Sequence, residues 1–177
     1  MIDFPDPAPG FDQPVAVLRH CHDRIRKQLR TLDNLAAHLA REEMNIDAQQ
    51  AAAAVLRYFE KSAPQHHADE EEDLLPMLEA MASGDDATLL QSLKPQIEDE
   101  HEVMDIAWSR LAPRLRELAE GRPSPLPADE VGAFTAMYRA HMELEESRVA
   151  PMALRLFSDQ QMTSLGDAMR ARRGIAC

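Results

Sequence analysis

Apolar residues recur along this chain at alternating steps of three and four, in four long stripes. The first stripe reads Leu18, His22, Ile25, Leu29, Leu32, Ala36, Leu39. The second reads Ala52, Leu56, Phe59, Ala63, His66, Glu70, Leu74, Met77. Leu90, Leu93, Ile97, His101, Met104, Trp108, Leu111, Leu115 and Leu118 form the third, and Val131, Phe134, Tyr138, His141, Glu145, Val149, Met152 and Leu156 the fourth. This spacing keeps each stripe on one face of an α-helix, as in the seam of a bundle. The first helix is expected from about residue 14 to 42. Asp12 and Asp47 are candidate N-caps for the first two helices. Pro64 lies inside the second stripe, which keeps phase across it, so a kink or local irregularity is expected there rather than a stop. Pro95 and Pro113 fall off the third stripe and predict bends.

Mostly short punctuation separates the stripes: EEMNI, Ser83 to Asp86, and GRPSPLP from Gly121 to Pro127. Short connections imply antiparallel neighbours. The expected fold is all-α, an up-down-up-down antiparallel four-helix bundle. Ser158 and Gln161 have the spacing of a capping box and predict a short fifth helix to about residue 172, followed by a frayed GIAC tail. The expected organisation is a Pro-rich lead-in over 1–12, the bundle over 13–157, and the short helix and tail over 158–177.

Every stripe is broken by polar residues. The second carries HHADEEEDLLP from His66 to Pro76, and the fourth carries HMELEESRVAP from His141 to Pro151. In both, a glutamate follows the histidine by four residues and a proline follows it by ten. Four residues are about 400° of helix, so His66 and Glu70 share a face, as do His141 and Glu145. His67 with Glu71 has the same spacing, but only His66 and Glu70 match the proline offset of the second copy and stay in phase with Phe59 and Ala63. Counted from the intervening turns, His22 lies level with His66, and His66 and Glu70 lie level with His101. His101 and His141 are mismatched by six residues, about 9 Å at ~1.5 Å per residue. The six residues then occupy one core layer, or nearly so. Burying two carboxylates and four imidazoles without partners is very unfavourable. A metal pair removes the problem, since a carboxylate can bridge two ions and each histidine supplies a neutral nitrogen. Ligation by nitrogen and oxygen alone suits iron or manganese in an oxygen-handling role, and zinc less well.

Composition narrows the remaining classes. The net charge is −12, and the short RARR near the C-terminus is the one basic cluster, so nucleic acid is not an expected partner. Two cysteines, Cys21 and Cys177, suggest neither a disulfide framework nor a thiolate zinc site. No apolar run approaches a membrane span, and the acidic, proline-rich start is unlike a signal peptide. A cytoplasmic protein without membrane contact is expected.

The pattern His-x-x-x-Glu-Glu…Leu-Leu-Pro on one helix, Glu-His on the next and His-x-x-x-Glu…Pro on the last resembles the hemerythrin-like (HHE cation-binding) family. The segment CHDRIRKQL on the first helix resembles that family's iron-binding segment. The resemblance covers roughly residues 14–157. It implies a non-haem di-iron centre, with His22, His66, His101 and His141 as terminal ligands and Glu70 and Glu145 as bridges. Two positions depart from the oxygen carriers of the family. Their second histidine on the third helix corresponds here to Asp105, and their last carboxylate, an aspartate five residues after the histidine, corresponds to Glu146, with Glu145 fitting at four. The chain therefore looks more like bacterial hemerythrin-like proteins, including di-iron repair proteins linked to nitrosative stress. Those repair proteins also carry a cysteine-bearing N-terminal domain that has no counterpart in these 177 residues.

The function implied is binding or sensing of dioxygen or nitric oxide at two irons. The alternative is a di-iron enzyme or iron donor in oxidative or nitrosative stress defence or iron-centre repair. A scaffold bundle with hydrogen-bonded polar layers is the reading without metal. Oligomeric state and redox partner are left open. His20 and His38 are expected to be solvated, and His67 exposed or in support of a ligand. Glu71, Glu72, Asp73 and Glu146 read as a solvated acidic face, one of which can hold a ligand imidazole by its other nitrogen. Tyr138, Trp108, Met104, Ile25 and Phe59 read as core or pocket wall, and Cys21 as structural.

Overall fold

The computed structural model describes residues 8–175, and among these every regular element is helical. The first seven residues of the lead-in and Ala176 and Cys177 of the tail lie outside the described residues. The long elements are α1 (Pro14–Leu39), α2 (Ile46–Ala68), α4 (Gly84–Ala119) and α5 (Ala128–Leu144). A π-helical turn, Asp69–Leu74, joins α2 to α3 (Leu75–Met81), and a second, Glu145–Val149, joins α5 to α6 (Ala150–Leu156). The short final helix, α7, is Asp159–Arg172. In the bundle, α1 packs on α2 and α5, and α4 packs on the same two helices.

The caps differ from expectation at two of three places. Gln13, not Asp12, precedes α1 and makes no side-chain cap. α2 starts at Ile46, so the Asn45 side chain accepts from the Ala48 N–H at 2.9 Å. Asp47 instead falls in the first turn, where its charge suits the helix dipole. Ser158 and Gln161 form the expected capping box.

Pro64 does not interrupt α2, and Pro95 and Pro113 lie within a continuous α4. A proline removes one backbone hydrogen bond and crowds the carbonyl four residues back, which a packed helix can absorb. The irregularity comes later, at the two π turns. There the N–H of Leu75 bonds the carbonyl of Glu70, and that of Ala150 bonds Glu145, each five residues back. A turn of this width is rare and concentrates at functional sites.

The core is two apolar clusters. One draws on Ile25 to Ala36 of α1, Ala48 to Ala63 of α2, Met104 to Leu118 of α4 and Val131 to Met142 of α5. Its centre is aromatic, with Phe59 about 5 Å from Trp108, Phe134 and Tyr138. The other holds Val15, Leu18, Leu74, Leu78, Leu90, Ile97, Met152 and Leu165, and receives α7. Between them lie His22, His66, Glu70, His101, His141 and Glu145.

Candidate metal centre

All six of these side chains are buried, at 1–4% exposure. They fall into two groups: His22, His66, Glu70 and Glu145, and Glu70, His101, His141 and Glu145. In each group, one nitrogen or oxygen per residue lies within 4.8 Å of all the others, a set that could hold a metal ion. The two groups share both glutamates. The mismatch expected between His101 and His141 is absent, since their Nε2 atoms are 3.0 Å apart. α4 extends to Ala119, Gly121 turns the chain at φ +77°, and Leu126 of the connection is itself buried in the core. The connecting stretch thus takes up the residues by which the two helices differ.

The inward atoms crowd without pairing well. His22 Nε2 lies 3.1 Å from Glu145, His66 Nε2 3.2 Å from Glu70, His101 Nε2 3.5 Å from Glu70, and His141 Nε2 3.4 Å from Glu145. Yet His22 Nε2, His66 Nε2 and one oxygen of each glutamate are buried with no hydrogen-bond partner. A buried polar atom without a partner costs about 1–3 kcal/mol, so several converging in one layer call for a common partner. A metal ion would satisfy lone pairs of this type, and the donor set fits one.

Outer carboxylates hold three of the imidazoles. Glu146 lies 2.9 Å from His22 Nδ1, Glu71 2.5 Å from His101 Nδ1, and Glu100 2.8 Å from His141 Nδ1. An ionised carboxylate only accepts, so Nδ1 carries the proton and the Nε2 lone pair faces inward. Glu71 and Glu146 thus take the supporting role that the sequence allows to one such acid, each reaching a histidine on a neighbouring helix while its side chain stays partly in water. Arg26 fixes Glu146 in turn at 2.9 Å and, with His22, holds its carboxyl below the usual range against a burial effect of opposite sign. His66 is the exception, with Nδ1 buried and unpaired.

The electrostatics are asymmetric. Burial, and then Glu145, push Glu70 well above the ordinary carboxylate range. Burial alone pushes Glu145 the same way, but His141 and His22 hold it well below. Burial and the neighbouring His22 pull His66 well down. Burial and His141 also lower His101, against its bond to Glu71. In His141, the pull of Glu145 and Glu100 outweighs burial and raises it.

Sequence reasoning underestimates His67, which is 7% exposed. It stacks on His101 with centroids 3.9 Å apart and rings 8° from parallel. Burial and nearby His101 lower it to about 3, so it is a neutral imidazole. The roles of two further groups go unread in the sequence. Glu100 belongs to the Glu-His pair of the third helix, but it is one of several acids flanking His101, and only the rotation of α4 directs it to His141 on α5. Asp69 is fully buried and meets Arg172 and Arg173, over a hundred residues away, at 2.6 Å each. The RARR cluster therefore docks α7 rather than offering free positive charge. His20 and His38 are half-buried rather than fully solvated, and neither joins a donor group. Tyr138, Ile25, Phe59 and Met104 are buried in the aromatic cluster, and Trp108 packs against it half-buried. Cys21 is a half-buried free thiol, raised by burial. Asp105 is exposed and lines an open groove beside His101.

No helix among the described residues is long and apolar enough to cross a membrane. A protein from Haemophilus influenzae, described as uncharacterized, is 27% identical over 165 residues, covering 93% of this chain and 92% of that one. The family model for the hemerythrin HHE cation binding domain matches residues 13–153. That match spans most of the chain and includes all six buried histidines and glutamates, and the chain belongs to the hemerythrin HHE cation-binding family.

Proposed function

We propose that the polar layer binds two iron ions and that the pair binds or senses a small diatomic ligand, dioxygen or nitric oxide. His22 and His66 would hold one iron and His101 and His141 the other, with Glu70 and Glu145 common to both. The carrying observation is the pair of four-donor groups that share both glutamates. Manganese suits the same donors, and zinc suits them less. The bundle, residues 13–157 in this reading, runs up-down-up-down, in keeping with packing of α1 on α2, α2 on α4, α4 on α5 and α5 on α1.

When bound, reduced iron supplies electron density and open coordination positions. The chain does the rest. Glu71, Glu100 and Glu146 keep three imidazoles oriented and in one tautomer. A cavity of about 20 Å³ adjoins His22, Glu70 and Glu145, and Leu18, Leu74, Val149 and Ala153 wall it. That volume suits a guest of one or two heavy atoms. Its small size and mostly apolar wall, which Arg19 joins, favour a diatomic over larger substrates. We place the protein in the cytoplasm, with no nucleic-acid or membrane partner.

The test is iron per chain, together with the visible spectrum of the anaerobically reduced protein before and after air. About two irons and a new charge-transfer band that reverses under vacuum support oxygen binding. Two irons that oxidise irreversibly move the reading to an enzyme or iron donor in stress defence. No iron after reconstitution under reducing conditions refutes it.

A further inference from the structure

His67 is buried beside the centre, and its Nε2 has no hydrogen-bond partner. Its ring lies flat on His101, 6.3 Å from the ring of His141 and 6.0 Å from that of Tyr138. This places it on the side of the group formed by Glu70, His101, His141 and Glu145. Simple packing explains the ring but not the orphaned nitrogen, since a phenyl ring fills the same space without that cost.

His67 is also poorly placed to share a metal with His101. An imidazole binds an ion in its own plane. Two near-parallel planes whose ring centres are 3.9 Å apart offer no common point at ligand distance. An ion held by His101 would leave room for an exogenous atom on the face toward His67. The group offers four protein donors to such an ion, and Asp105, one turn beyond His101, is exposed rather than turned inward.

We propose that His67 holds an exogenous ligand at this second group, its Nε2 hydrogen-bonding an atom bound there. The inference rests on the metal-binding reading. It makes the two sides of the centre unlike: an apolar cavity beside His22, and a polar hand above His101. The ligand favoured on the second side is a small anion or hydroxide with a hydrogen-bonding atom.

The test uses the full chain loaded with ferric iron and titrated with azide, followed by its charge-transfer absorption. His67→Phe keeps an aromatic ring and removes the nitrogen. His67→Gln places an amide nitrogen near the position of Nε2. Iron per chain and the thermal midpoint are measured for all three proteins. The expected result is wild-type iron content throughout, azide binding about tenfold weaker in His67→Phe, and at least partial recovery in His67→Gln. Unchanged azide affinity in His67→Phe overturns the proposal and leaves the metal centre standing. Loss of one iron in His67→Phe with unaltered folding also overturns it, because His67 is then a ligand. If His67→Phe fails to fold, His67→Gln decides alone against His67→Leu, with equal affinities refuting the role. A wild-type protein that takes up no iron fails the underlying reading instead.

Discussion

The two His-x-x-x-Glu copies show which parts of the device the centre needs and which are free to take other work. Both open into a π turn at or beside the glutamate, and in both the glutamate four residues after the histidine joins the two donor groups. In both, the next glutamate leaves its own helix. Glu71 reaches His101 and Glu146 reaches His22. Among the positions at which the copies differ are the first and third residues after the histidine. The first copy has His67 and Asp69 there, and the second has Met142 and Leu144. Met142 is fully buried in the aromatic cluster and Leu144 packs on the other. So the second copy spends these positions on apolar core. The first spends them on a stacked imidazole and on a buried acid that holds the C-terminal helix.

If the shared parts are equivalent, Glu70→Ala and Glu145→Ala should have the same and largest effect. Each removes a donor from both groups, so both irons should be lost, as read by metal analysis. Loss of both in one variant and one in the other breaks the symmetry. Next, Asp69→Ala should cost about 3 kcal/mol in urea unfolding, because it leaves two arginines without their buried partner; their partial exposure puts this at the low end for a broken buried pair. Leu144→Ala, at the matching position but half-buried, should cost about 1 kcal/mol. Equal costs would erase the difference between the copies.

Glu71→Gln and Glu146→Gln should each weaken iron binding by roughly 10–100-fold in chelator competition, while keeping the fold. Glu146 is also held by Arg26, so Arg26→Ala should weaken binding by less than Glu146→Gln does. The smallest effect is expected from Pro76→Ala and Pro151→Ala. Both prolines are exposed, and three others sit in continuous α-helix, so proline alone does not make the wide turn. Iron content should be unchanged and stability should move by less than about 1 kcal/mol.

The bundle and its six inward residues were legible because histidine and glutamate break otherwise apolar stripes at helical spacing. A pattern of three and four reports which face is buried, and that was enough to bring His22, His66, His101 and His141 together with Glu70 and Glu145. It does not report what lies across the interface. The Glu-His pair marks Glu100 beside His101, but not that it, rather than Asp99 or Glu102, meets His141 across the interface. Asp69 looks like its acidic neighbours until α7 closes over it. The π turns were hidden because one extra residue in a turn hardly disturbs a stripe. The paired glutamates at four and five residues, with proline at ten, were their signature in both copies. His67 was set aside for lying off the stripe, yet a face 100° away still meets a neighbour when a helix is packed on two sides.

The division of the apolar core into two clusters bears on how the chain comes apart. Without an ion, the middle layer holds unpaired dipoles and a strongly perturbed carboxyl pair, and it ties the halves together weakly. Amide exchange in the metal-free chain should then resolve two opening units. One comprises the aromatic end, and the other the end gripped by α7 through Asp69. Metal, by binding only where both halves meet, would make them open as one. In that sense the centre is the rivet of the fold, and the cooperativity of unfolding reports its occupancy.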